Sequence, residues 1–403
     1  MKVVEKLLKE EDFIRFVDIV VGAYPGRMGG LQPTKEQLKA LFMHNQNNDA
    51  SIHYYGLWEG NKLVGGMRLH DFEMNLFSKM IPIGGVGLVA VDLLRKKEKV
   101  AKELIDNFFK VFLEKNVHFV ALYPFRPDFY KKMGFGYGPK MHQYSVEPSS
   151  FPKGATKKHL TFLTAQDQHK LADCYRRVAS IFKNPQNYII AAEKGDSIQG
   201  YMVFSFNKQS ETNFLLNNLV IKEWIYETPE VLLEFSTFLN SQVDQVNRIE
   251  WNTQEENIHF FLGDVRNGTN HLIPSVYHAS AVSGVGLMYR IINVQGFFEE
   301  LTTHNFNGQT LTFKLTVKDS LLVENNQQIV IKAIDGNIKI SNSTTYDVEM
   351  VIDITELSSL VMGVVTVQEL FMLSKVKISD EQYVQSLHLF FLVLDKPTCI
   401  TAF

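Results

Sequence analysis

Four lysines, Lys96, Lys97, Lys99 and Lys102, crowd the short stretch "KKEKVAK". Just before it, "GLVAV" (Gly87 to Val91) has the small and β-branched residues of a buried strand. From Lys96 onward Val100, Leu104, Phe108 and Phe112 fall four apart, which gives a helix one apolar stripe. A helix that opens directly after a buried strand aims unpaired backbone N–H groups, and the positive end of its dipole, at whatever lies in front. A phosphate suits that place, and the lysines would add charge around it. An amphipathic helix with a solvated lysine face also satisfies this pattern, and the stretch alone does not choose between them.

Other candidate chemistries are weaker. His70, Asp71 and Glu73 in "RLHDFEM" lie close together without a metal-ligand spacing, as a solvated strand end would have them, so no metal is expected. His388 sits in the apolar run "SLHLFFLVL" as a core histidine would. No glycine fingerprint for a dinucleotide is present, and Gly284 and Gly286 in "SGVGLMYR" mark a linker. Cys174 and Cys399 are too far apart in sequence for a disulfide framework or a metal knuckle, which fits a reducing cytoplasm.

The formal net charge of −3 excludes the global basic field of a nucleic-acid binder, so anion binding must be local. The first residues are interrupted by charge, against a secretory core, and no apolar run approaches the roughly 20 residues of a membrane span. No nucleic-acid or membrane partner is expected, and the location expected is cytoplasmic.

A chain of 403 residues is long for one domain, and its pattern divides in three. The first section has helical spacing over Glu11 to Tyr24, a second helix opened by Thr34, two strands joined by the turn "EGN", and then the strand, turn and helix described above. "HFVALYPF" follows as a buried strand, so the order is that of a right-handed βαβ unit. The connection "EPSSFPKGATKKH" leads into a second section that partly repeats the first: "LWEGNKLVGGMRL" resembles "AAEKGDSIQGYMVF", with Gly65 opposite Gly200. The repeat continues into strand and helix, but its connection carries Trp224, Glu227, Thr228 and Pro229 and no basic cluster. From Met288 the alternation of "LTFKLTVKD", the hairpin "IVIKAIDGNIKI" around Asp335 and Gly336, and two short helices predict an antiparallel sheet with helices on one side. Gly363 closes the first of these helices, and Thr366 with Glu369 opens the second as a capping box.

"FRPDFYKKMGFGYG" (Phe125 to Gly138) places Gly134 and Phe135 four and five positions after Tyr130. With the strand "VAV" and the turn "KKEKVA", it resembles the GNAT superfamily of N-acetyltransferases. That family joins such a strand to an Arg/Gln-x-x-Gly-x-Gly/Ala turn for the acetyl-CoA pyrophosphate and to an F-Y-x-x-x-G-F segment. Here Lys96 replaces the arginine and Lys99 the middle glycine, where a Cβ narrows the approach of backbone to phosphate. The resemblance implies that acetyl-CoA, the co-substrate, is held by Val89, Ala90 and Val91 and by the turn residues Lys96, Lys97, Glu98, Lys99, Val100, Ala101 and Lys102. A backbone N–H of the strand would polarise the thioester, and Phe125 and Arg126 would flank the pantetheine arm.

The whole plan resembles the enhanced intracellular survival (Eis) acetyltransferases, an α/β (α+β) architecture of two tandem GNAT-like mixed-sheet domains and a sterol-carrier-like domain. That assigns residues 1–150 to a catalytic GNAT domain, 151–287 to a degenerate second one, and 288–403 to the sterol-carrier-like domain. "MYRIINVQGFF" would open the last and "LHLFFLVLDKPTCITAF" would end it. The resemblance further implies Tyr130 as general acid, the α-carboxylate of Phe403 as general base, and a homohexamer. The acceptor would be a primary amine of an aminoglycoside-like molecule, a polyamine or a lysine side chain. A protein that binds CoA or an apolar ligand without turnover would be the alternative on the same scaffold.

Overall fold

A computed structural model describes residues 2–25, 33–171, 182, 184–195, 197–274, 276–341 and 343–399, so Cys174 and Phe403 lie outside the described residues. The chain divides into two compact units, one of Met1–Pro139 with Val285–Phe403 and one of Lys140–Gly284.

The first unit begins with β1 (Lys2–Lys6), α1 (Glu10–Ala23), α2 (Lys35–Asn48), β2 (Ile52–Glu59), β3 (Lys62–Leu76) and β4 (Lys79–Val91). Thr34 opens α2 with a capping box to Gln37, and Gly60, at φ 58°, turns β2 into β3. After β4 come α3 (Val100–Glu114), β5 (Phe119–Leu122), α4 (Pro127–Lys131) and the short β6 (Gly136–Tyr137). The face of α3 buries Val100, Leu104, Ile105, Phe108, Phe109 and Phe112 in one apolar cluster with the sheet. β4 and β5 run parallel, as the expected βαβ unit requires.

The second unit holds β7 (Met141–Val146), β8 (Leu160–Phe162), β9 (Tyr188–Lys194), β10 (Ser197–Lys208), β11 (Asn217–Tyr226), α5 (Pro229–Asn240), β12 (Val246–Thr253), the hairpin β13 (Leu272–Ile273) and β14 (Tyr277–His278), and β15 (Ala281–Gly284). β11 and β12 again run parallel around a helix. Gly65 and Gly200 do correspond. A Cβ on Gly65 would stand 2.8 Å from Val100, the first residue of α3, and one on Gly200 would stand 2.9 Å from Val231 near the start of α5. In both copies glycine lets a helix settle close on the sheet.

The chain then returns to the first unit with β16 (Met288–Ile291), α6 (Val294–Glu300), β17 (Leu311–Lys318), β18 (Gln328–Ile334), β19 (Asn337–Ser341), β20 (Val348–Asp353), α7 (Ile354–Val361), α8 (Val367–Met372), β21 (Val376–Ile378) and α9 (Val384–Phe390). Asp335 and Gly336, at φ 46° and 80°, make the β18–β19 turn, Gly363 ends α7 at φ 68°, and Thr366 caps α8 with Glu369.

Four expectations are corrected. The strand at Met288–Ile291, read as the start of the third section, lies between β5 and β6 in the first sheet, whose order is β1-β2-β3-β4-β5-β16-β6. β7, read as the end of the first section, pairs with β12 and β15 in the second sheet. The third sheet, β19-β18-β17-β20-β21, is not purely antiparallel, because β17 and β20 run parallel. The helix expected from Lys96 starts at Val100, since Lys97 and Lys99 both take left-handed backbone.

Candidate active site

β4 and β5 pair only from Ile83–Val86 against Phe119–Leu122, while β4 runs on to Val91 along β3. The two parallel strands therefore part beyond Val86 and leave one edge of β4 without a strand neighbour. At the same point the β3–β4 register shifts between Gly66 and Arg68, and Leu88 takes φ 49°, the signature of a bulge that re-aims the following residues. The Asp92 N–H bonds the Val64 carbonyl 3.0 Å away, so by strand alternation the Val89 and Val91 backbone edges face away from β3, into the gap. Tyr24 confirms this direction for Val89, because its hydroxyl donates to the Val89 carbonyl at 2.8 Å.

Beyond the strand, Asp92 caps a short 3-10 turn, Leu93–Arg95, by accepting from the Leu94 N–H at 3.0 Å, and pairs with Arg15. Arg95 is held by Glu59 and Glu98, and Lys102 by Asp106 at 3.2 Å. Lys96, Lys97 and Lys99 are exposed and have no ion-pair partner among the described residues. Lys99 is the N-cap of α3 at φ 64°, ψ 7°, and no side chain caps the helix there. The first turn of α3 thus presents open N–H groups between uncompensated cations, an arrangement suited to an anion. Lys99 supplies the left-handed turn that glycine would ordinarily make.

The spacing Tyr130-x-x-x-Gly134-Phe135 has a local cause. The Phe135 N–H bonds the Tyr130 carbonyl at 3.1 Å and the Gly134 N–H bonds the Lys131 carbonyl at 3.0 Å, with Gly134 at φ 80°. This is a Schellman motif ending α4, and its usual apolar contact is the Tyr130–Phe135 ring pair at 6.0 Å. Arg290 of β16 locks the motif: it donates to the Met133 carbonyl and is paired with Asp319 at 2.7 Å, both side chains buried. A Cβ on Gly134 would overlap that guanidinium.

Tyr130 is only 7% exposed. Burial, with a smaller contribution from Tyr24, pushes its phenol up to about 12. Among the described residues its hydroxyl has no hydrogen-bond partner. Phe125, three residues past the end of β5, is exposed and meets Tyr24 edge-to-face at 6.0 Å. Arg126 turns back to fork onto Asp128, 2.5 Å away, and is spent there.

The structure thus gathers Val89, Ala90, Val91, Phe125 and Tyr130 around the gap and sets Lys96 to Lys102 at the helix that follows. Tyr24 belongs to this group and was missed, since the last residue of an amphipathic helix carries no sequence signal of its own. The described chain ends at Cys399, which lies near enough to Tyr289 to bear on its titration, and Tyr289 pairs with Ala121 on β5. A cavity of about 400 Å³ lined by Leu113, Glu299, Glu324 and Ile329 lies near the far end of α3 and holds none of the predicted residues.

Family models match the chain in three places: an acetyltransferase (GNAT) domain over 6–138, another over 170–291, and a sterol carrier protein domain over 294–400. The chain belongs to the GNAT acetyltransferases. The two GNAT matches together cover more than half of it. No curated protein matches the sequence.

Among solved structures, a GCN5-related N-acetyltransferase of Anabaena variabilis aligns at TM-score 0.77 and 15% identity, covering 98% of both chains. Eis1 of Mycobacterium abscessus aligns at 0.76 and 15%, covering 100% of both, and a probable N-acyltransferase of Enterococcus faecalis at 0.74 and 18%, covering 98% of this chain and 97% of that one. At these identities the likeness establishes the shared three-part fold. As a GNAT acetyltransferase the chain transfers acetyl groups to amines, with acetyl-CoA as co-substrate. Among the described residues no His, Cys, Asp or Glu side chains converge as metal ligands would, and no helix is long and apolar enough to cross a membrane.

Proposed function

We propose that this acetyltransferase acts on a primary amine of a small molecule, aminoglycoside-like or polyamine, or of a lysine side chain, by direct transfer from acetyl-CoA. The carrying observation is the uncapped N-terminus of α3, flanked by unpaired Lys96, Lys97 and Lys99, directly after the strand whose edge opens beside Tyr130. In this reading the pyrophosphate sits on the Lys96 to Lys102 turn, the pantetheine follows the edge of Val89 to Val91 that β5 leaves unpaired, and the thioester reaches Tyr130.

Tyr130 is the general acid of the proposal. A phenol near 12 stays protonated across the working range and is a donor to the departing sulfur, never a base. Full transfer to a thiolate, whose pKa is near ~8.5, would be uphill by roughly 5 kcal/mol, so the phenol acts chiefly by hydrogen-bonding the developing charge. The α-carboxylate of Phe403 is the proposed base. Phe403 follows Cys399 by four positions in the sequence, and Cys399 is close to Tyr289 of β16. The acceptor amine would then bind between the first GNAT domain and the sterol-carrier-like domain. A hexamer in the cytoplasm completes the reading; exposed Leu272, Ile273, Val276 and Tyr277 on the β13–β14 hairpin support self-association.

Isothermal titration with acetyl-CoA, followed by release of free thiol with a panel of primary amines, tests the proposal. Micromolar binding and turnover with at least one amine are expected. No binding at high micromolar acetyl-CoA would remove it.

A further inference from the structure

Tyr24 stands across the gap between the parted strands. It is the C-terminal cap of α1, anchored by its own N–H to the Val20 carbonyl at 3.0 Å. Its hydroxyl bonds the Val89 carbonyl on one wall at 2.8 Å, and its ring meets Phe125 from the other wall at 6.0 Å with planes 87° apart. The two walls no longer pair with each other here, since β4 and β5 last pair at Val86 and Leu122. The side chain is thus a crossbar over the gap in which the acetyl-CoA reading puts the thioester, and it stands close enough to influence Tyr130.

We infer that Tyr24 sets the acyl-group selectivity of the site by closing the gap behind the acetyl methyl. The inference rests on the acetyl-CoA reading above. The hydrogen bond to Val89 keeps the ring across the gap, so that the ring bounds the space open to the acyl chain. Each extra methylene that found apolar room instead would gain several-fold in affinity, so a chain two carbons longer would gain roughly tenfold or more once the ring is gone.

The test is titration of the full chain with acetyl-, butyryl- and hexanoyl-CoA, which needs no knowledge of the amine. In Tyr24→Ala, affinity for butyryl-CoA relative to acetyl-CoA is expected to rise about tenfold while affinity for free CoA stays within twofold. Tyr24→Phe keeps the ring and loses only the clamp, so its selectivity should move by threefold or less in the same direction. An unchanged acyl preference in Tyr24→Ala with normal CoA binding overturns the inference. So does a change confined to the Michaelis constant for the amine, which would place Tyr24 on the acceptor side. If Tyr24→Ala fails to fold, Tyr24→Leu carries the same readout with a smaller shift. Wild-type chain that binds no CoA species would instead overturn the acetyl-CoA reading itself, and this inference with it.

Discussion

In the first GNAT copy the chain spends Asp92 to Lys99 in passing from β4 to α3; in the second only Glu227 and Thr228 separate β11 from α5. The short connection is self-sufficient. Thr228 accepts from the Val231 N–H at 3.3 Å, Pro229 occupies a first-turn position whose N–H would otherwise be open, and Glu230 adds a carboxylate to that turn, so α5 offers an anion far less than α3 does. The long connection does the reverse, with a left-handed lysine in place of a cap.

The gaps differ in the same sense. β11 and β12 last pair at Ile221 and Trp251, so the second copy also has parted strands. With Gly65 matched to Gly200, whose strand partners are Val91 and Tyr226, the positions of Val89 and Val91 fall on Trp224 and Tyr226. Trp224 packs against Phe151, Phe235 and Trp251, and Tyr226 bonds Glu255 at 2.5 Å. A shared scaffold therefore makes the opening, and side chains decide whether it stays open or is packed with an indole.

The largest expected effect breaks the comparison at Tyr130, the proposed acid. Tyr130→Phe should lower kcat by a hundred- to a thousandfold and leave the dissociation constant of acetyl-CoA within twofold, measured by steady-state kinetics and calorimetry. Because its phenol is raised to about 12, it stays protonated well below that value and loses its proton as pH rises through it. The wild-type kcat profile should accordingly show no loss on the alkaline side up to about pH 10. A falling limb near pH 8 or 9 would assign the proton to another group.

Transplanting the plug comes next. Val89→Trp gives the first copy the indole of the second at the matched position, and acetyl-CoA affinity should fall about a hundredfold with the melting temperature little changed. Retained affinity would mean that the gap is not the thioester path. Trp224→Val opens the second gap without supplying an anion site, so it should create no CoA binding; a second stoichiometric site in calorimetry would contradict the role given to the α3 turn.

Much of this contrast was legible in the sequence. The repeat around Gly65 and Gly200 could be read because helix packing on the sheet forbids a Cβ there, and the Tyr130 segment because a Schellman motif fixes its glycine. The lysines were visible as charge, although their lack of carboxylate partners was not, since Arg95 and Lys102 nearby are paired. What could not be read depends on pairing far along the chain. "MYRI" looks like any buried strand, and only its hydrogen bonds to β5 and β6 place it in the first sheet. Tyr24 and the Trp224 plug are likewise ordinary until the tertiary fold brings an opposite wall to them.

A smaller effect follows from charge. Replacing Lys96, Lys97 and Lys99 together with glutamine should weaken acetyl-CoA binding by about tenfold and flatten its dependence on salt, because exposed cations act through screened interactions. Glu227→Gln in the second copy is the control and should alter neither quantity. A triple variant with unchanged affinity and salt dependence would leave the open N–H groups of α3 as the whole anion site.

The smallest and most discriminating change is Lys99→Gly. In left-handed backbone a non-glycine residue is strained by about 1 kcal/mol, so glycine relieves the native state, while its freedom in the unfolded chain takes back about 0.4–1 kcal/mol. These nearly cancel, and the melting temperature should move by no more than a degree or two. Binding does not cancel in the same way. If Lys99 serves only as a turn, glycine reproduces the turn with less crowding of the phosphate, and acetyl-CoA affinity should hold or rise. If its charge matters, affinity should fall two- to fourfold, with the loss vanishing at high salt. Three uncompensated lysines beside an uncapped helix favour the second outcome, since a turn alone would have required no cation at φ 64°.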